Sequence, residues 1–153
     1  MRVMALDVGE RRIGVALSDP LGSFAQPHAT VAVEGRKKDV ARLVAIARDH
    51  EVSELVVGLP LHMHGEEGEA AQKARRLGNS LAAALGLAVT YWDERLTTVQ
   101  AERTLIEGGV RRRDRKAVVD QVAAVLILQA YLDSRAAGAG DDFADDDPFE
   151  AGG

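Results

Sequence analysis

The chain has 153 residues, 46 % of them apolar and 28 % charged, no cysteine, and a formal net charge of -5. That length fits one compact domain with a sizeable core. Without cysteine there is no disulfide framework, no zinc finger or ribbon and no thiol nucleophile.

The charge is unevenly spread. Asp141, Asp142, Asp145, Asp146, Asp147 and Glu150 follow Gly138, and no Lys or Arg does. The body before them is close to neutral and carries local basic clusters, which suits a nucleic-acid partner better than the whole-chain charge suggests. The opening MRVMALDVG holds an apolar run too short for a signal peptide, with an aspartate inside it. No stretch approaches the roughly 20 apolar residues of a membrane span. The expected location is the cytoplasm, with no membrane partner.

In chain order, Val3 to Leu6 reads as a strand and Gly9 as a turn, with Ile13 to Leu17 returning as a second strand. Ala29 to Val33 is a third. Lys37 to His50 places Val40, Leu43, Val44 and Ala47 on one helical face. Glu54 to Val57 is a short apolar strand, and Leu59 to Gly68 a loop with His62 and His64. Glu69 to Leu85 predicts a helix stopped by Gly86. Ala88 to Trp92 is the fifth strand. Thr97 or Thr98 can cap a helix ending at Gly108-Gly109. Val110 to Lys116 reads as a basic loop, and Ala117 to Leu132 as an apolar, buried helix. The Gly-, Ala- and Asp-rich segment 136–153 predicts a disordered acidic tail after a domain over 1–135. The order is three meandering strands, then strand–helix alternation. It predicts an α/β domain with a mixed five-stranded sheet and helices on both faces, the order of elements in the ribonuclease H-like fold.

Three carboxylates stand out. Asp7 ends an apolar strand, where a buried charge needs a cation or a hydrogen-bond network. A hairpin-turn aspartate fits the same spacing. Glu94 lies just past the fifth strand, where parallel sheets place their sites, and a surface pair with Arg95 is its alternative. Strand alternation sends Asp93 and Glu94 to opposite faces, so one of them joins a site. Asp120 opens the apolar helix on much the same face as Ala123, Ala124 and Ile127; stabilisation by the helix N-terminus would also explain it. Together the three would make a hard oxygen site for Mg²⁺ or Mn²⁺. Two ions about 4 Å apart could then promote in-line hydrolysis of a phosphodiester. Arg111, Arg112, Arg113, Arg115 and Lys116 precede Asp120 and suit phosphate binding. Arg11 and Arg12 would extend that surface from beside Asp7, and Arg95 would face the scissile phosphate. A solvated charged loop is the plainer reading of the basic run.

Four segments resemble the YqgF (RuvX) family of pre-16S rRNA nucleases and Holliday junction resolvase-like proteins. They are LDVGERRIGVALSDP at 6–20, ELVVGLPLHMHGEEG at 54–68, DERLTTVQAE at 93–102 and KAVVDQVAAVLILQAYL at 116–132. They stand in family order over nearly all of the chain before the tail. The resemblance implies a ribonuclease H-like fold, divalent-metal nuclease chemistry and maturation of the 5′ end of 16S rRNA. It also implies Asp7, Glu94 and Asp120 as the acidic triad and Val57–Pro60 as a site-lining segment. Structured RNA, branched DNA and ribosome-assembly factors are the partners it suggests, for a monomer or a homodimer. Related nucleases commonly use a fourth carboxylate; with three, the site would hold its metals weakly, use one ion, or recruit Asp19 or Asp93. A junction resolvase, a binding module with weak catalysis and an actin-like ATPase are the competing readings.

Overall fold

The computed structural model describes the backbone of residues 1–96 and 112–141, and the side chains of 1–96 and 121–137. β1 (Arg2–Val8), β2 (Arg12–Ser18) and β3 (Ala25–Ala32) form the expected antiparallel meander. Helix α1 (Arg36–Asp49) leads to β4 (Val52–Leu59), parallel to β1. Helix α2 (Glu69–Leu85) leads to β5 (Val89–Asp93), parallel to β4. A 3-10 turn, Glu94–Leu96, follows, and Arg112–Asp141 is helix α3. The sheet order is β3-β2-β1-β4-β5.

Alternation along the central strands divides the core in two. Met4, Leu6, Leu55 and Val57 pack with Leu43 of α1 and Leu77 and Leu81 of α2. Val3, Ala5 and Val56 face the other way, against Ala123, Ala124, Ile127 and Leu128 of α3. Helices therefore cover both faces. The small Ala123 and Ala124 are at most 1 % exposed, so α3 lies close on the sheet.

Polar contacts fix α3 along its length. Gln121 Nε2 donates to Thr30 Oγ1 at 3.0 Å, and Gln129 Oε1 accepts the Ala25 N–H at 2.9 Å. At the far end, Arg135 Nη1 meets Glu54 Oε1 at 2.5 Å, and the Tyr131 hydroxyl donates to the same carboxylate. Burial, then the hydrogen bond to Glu54, raises the Tyr131 pKa.

Several boundaries differ from the sequence reading. β3 starts at Ala25, four residues early, and includes Pro27. Edge position and a register shift between Val15 and Ala16 accommodate a residue with no N–H. β4 runs to Leu59, so Gly58 is a strand residue. The basic run is not a loop from Arg112 onward: Arg112 to Lys116 are already helical. Arg and Lys are good helix formers, and no Gly or Pro interrupts 112–137. The helix continues through Gly138 and Gly140 to Asp141, past residue 135. The helix expected after Thr97 and the tail from residue 142 lie outside the described residues. Among the described residues, no helix is long and apolar enough to cross a membrane.

Candidate active site

The site forms where the parallel strands β1, β4 and β5 end, on the α3 face. Asp7 shares the parity of Val3 and Ala5, so it points to that face; it is 3 % exposed. Leu6 pairs with Val57, which sets Gly58 beside Asp7. Gly58 in turn pairs with Trp92. Two residues on, Glu94 opens the 3-10 turn and is 6 % exposed.

Gly58 reveals how these residues meet. A Cβ there would lie 2.8 Å from Glu94 Oε2 and 2.5 Å from Ile127 Cδ1. The Glu94 carboxylate thus folds back over the bare backbone of Gly58, under α3. Asp7 stands on the neighbouring strand, a strand spacing of about 4.8 Å away. Asp120 belongs to α3, three and four residues before the buried Ala123 and Ala124. Its side chain lies outside the described residues.

The donor set is all oxygen, buried at strand ends, and fits a hard divalent cation far better than a soft one. Among the described residues no group of three or more His, Cys, Asp or Glu is gathered. The described contribution is the pair Asp7 and Glu94.

The hairpin after Asp7 is tightly built. The Gly9 N–H donates to Arg12 O at 2.8 Å, and a Cβ on Gly9 would sit 2.8 Å from that same oxygen. Only glycine fits. Lys73 of α2 donates to the carbonyls of Gly9 and Glu10, both at 3.3 Å, and holds the hairpin from behind. Arg11 is exposed and Arg12 half-buried on this hairpin. The sequence gives no sign of the Lys73 contact, which joins residues 64 apart.

Three expectations change. Asp93 is not the missing carboxylate. It pairs with Leu59, whose side chain faces the α1–α2 core, and its own carboxylate bonds Arg95 at 2.7 Å. The Arg95 hydrogen bonds hold the Asp93 carboxyl below its usual range. Asp19 is not available either. It lies at the opposite end of the sheet, beyond Ser18, whose Oγ accepts the Val3 N–H. There it accepts the Ser23 and Phe24 N–H groups at 2.7 Å each. Arg95 itself does not reach into the carboxylate site. Beyond Asp93, its guanidinium donates to Met63 O at 3.2 Å and His62 O at 3.5 Å, and so clamps the loop between β4 and α2. Arg112, Arg113, Arg115 and Lys116 stand at the start of α3; Arg111 lies outside the described residues.

The Arg95 clamp is testable. Arg95→Ala should leave the sheet intact and speed hydrogen exchange at Gly65, whose N–H bonds His62 O at 2.9 Å. Arg95 is 42 % exposed and its contacts are screened by solvent, so the increase should be modest, roughly a few-fold in exchange. Unchanged Gly65 protection would show that the loop holds itself.

Comparison with known proteins identifies the family. The RuvX family, described as Holliday junction resolvase, matches residues 1–134. A protein of Myxococcus xanthus is 51 % identical over 134 residues, covering 88 % of this chain and 89 % of its own. One of Lactococcus lactis subsp. cremoris is 48 % identical over 137 residues, covering 88 % and 96 %. Both carry the name "Putative pre-16S rRNA nuclease". Among solved structures, Thermus thermophilus RuvC bound to a Holliday junction superposes with a TM-score of 0.59 at 15 % identity, over 90 % of this chain and 96 % of its own. The fowlpox virus Holliday junction resolvase gives 0.50 at 12 % identity, over 88 % and 99 %. At such identities the likeness is one of fold, the ribonuclease H-like fold. Matched from its first residue to residue 134 and about half identical to relatives across most of their length, this chain belongs to the RuvX family.

Proposed function

We propose that the chain is a divalent-metal-dependent endonuclease that trims the 5′ end of precursor 16S rRNA through Asp7, Glu94 and Asp120. Membership of the family makes it a hydrolytic nuclease. The observation that supports the site assignment is the buried Glu94 carboxylate seated on Gly58 of β4, the strand beside the one that carries buried Asp7. The relatives' shared name supports the RNA substrate.

Asp7, Glu94 and Asp120 would hold Mg²⁺ or Mn²⁺. Such an ion supplies Lewis-acid stabilisation of charge at the scissile phosphate and acidifies a water. The chain's own contribution is placement. Asp7 is fixed by the β1 ladder, and Glu94 by its seat on Gly58. The packed α3 face keeps bulk water from the inner side of both carboxylates. Arg11 and Arg12 on the hairpin, with Arg111 to Arg113, Arg115 and Lys116 before Asp120, take the flanking phosphates in this reading. Their share of affinity would fall with salt. Arg95 acts on the loop and not on the phosphate. The cytoplasm, with ribosome-assembly factors as neighbours, is the setting this substrate implies.

Branched DNA is the second substrate, supported by the family's description and the RuvC-like fold. Two symmetrical cuts would call for a two-fold dimer, whereas RNA trimming needs only a monomer. A labelled precursor 16S 5′ fragment and a four-way DNA junction, incubated side by side with Mn²⁺, separate the two. Faster cutting of the RNA is expected; faster paired cutting of the junction would move the assignment.

A further inference from the structure

A depression of about 360 Å³ opens on the α1–α2 side of the sheet, behind the β1–β2 hairpin. Its walls include Val8, Val33 and Leu77, and three cations line it: Arg36, Lys73 and Arg76. Arg36 and Arg76 are exposed, and among the described residues neither forms an ion pair or hydrogen bond. The one acid there, Asp39, is already matched. Its Oδ1 accepts the Glu34 N–H at 2.9 Å and meets Arg42 at 3.2 Å. Gly35, the N-cap of α1, also lines the depression and has no side-chain cap. The adjoining depression shares Lys73 and Arg76 but adds Glu10 and Glu69, so uncompensated positive charge is concentrated on the α1 side.

We infer that this depression seats a backbone phosphate of the bound nucleic acid, upstream or downstream of the cut. The inference rests on the nuclease reading and extends its binding surface to the opposite face of the sheet. Two unpaired guanidinium groups beside an ammonium suit a phosphate diester, and Arg in particular binds its oxygens in a bidentate manner. Continuity favours a strand over a free anion. Lys73, which lines the depression, also holds the carbonyls of Gly9 and Glu10. The exposed Arg11 lies on that same hairpin, four residues after Asp7. A strand crossing the hairpin tip would meet both surfaces.

The test is fluorescence anisotropy of a labelled single-stranded RNA across a salt series, in EDTA so that nothing is cut. Arg36→Ala/Arg76→Ala should weaken binding about tenfold and flatten the log–log salt slope by roughly 0.7 per cation lost. Arg48→Ala, exposed in the last turn of α1, should change neither. Wild-type affinity and slope in the double variant would overturn the inference. So would an equal loss in Arg48→Ala, which would reduce the effect to general charge. Protection of wild type by inorganic phosphate, with RNA affinity unmoved by the double variant, would assign the depression to a free anion and overturn it too. Cleavage is read in a separate assay with metal, so a failure of the nuclease reading remains distinguishable.

Discussion

Gly58→Ala is expected to cut nuclease activity about a hundredfold and to destabilise the fold by about 1–3 kcal/mol. The added carbon would stand 2.5 Å from Ile127 Cδ1 and 2.8 Å from Glu94 Oε2, both well inside contact distance. Ile127 is fully buried in the α3 core and has little room to turn away. Overpacking of this kind accounts for the stability loss. The Glu94 carboxylate must also move, and a displacement of about 1 Å in a catalytic group is enough for a hundredfold rate loss. The two effects can be separated. Adding Ile127→Val removes the Cδ1 clash and should recover much of the stability, read by urea midpoint, while activity stays low. Full activity in Gly58→Ala would mean that the position of Glu94 does not matter to the reaction.

Metal binding should also stabilise the fold. A ligand that binds only the native state stabilises it by about 2.7 kcal/mol when its concentration is a hundredfold above Kd. For a chain of this size that is a rise of roughly 5–10 °C in Tm. Wild type should show such a rise with Mn²⁺. Asp7→Asn and Glu94→Gln should each lose most of it, because each removes a negative ligand while keeping the shape. Asp93→Asn should keep it, since Asp93 faces the other side of the sheet and is bonded to Arg95. A rise retained in Asp7→Asn, or lost in Asp93→Asn, would put the ion elsewhere.

Local pattern carried much of this architecture. The hydrophobic alternation of β1 and the turn at Gly9 define the meander, and Gly86 in the left-handed region ends α2 as its position suggests. Alternation also separates Asp93 from Glu94. What local pattern cannot show is packing between distant elements. The need for glycine at 58 arises only when α3 brings Ile127 onto β4 and the 3-10 turn brings Glu94 back. Arg95 looks like a phosphate ligand until the loop carbonyls of His62 and Met63 are seen beside it. The dense charge of 111–116 masks a helix start, because hydrophobic periodicity is silent there and helix propensity alone is a weak signal. Pro27 argues against a strand until β3 proves to be an edge with a register shift.

If Asp7 carries metal-dependent hydrolysis of RNA, its loss should abolish cleavage of a labelled precursor 16S 5′ fragment with Mn²⁺ or Mg²⁺, measured for wild type against Asp7→Asn. Discrete, metal-dependent cutting is expected of wild type and none above background of a folded Asp7→Asn protein. Equal cutting by both, or no cutting by folded wild type with metal present, would contradict this role for Asp7.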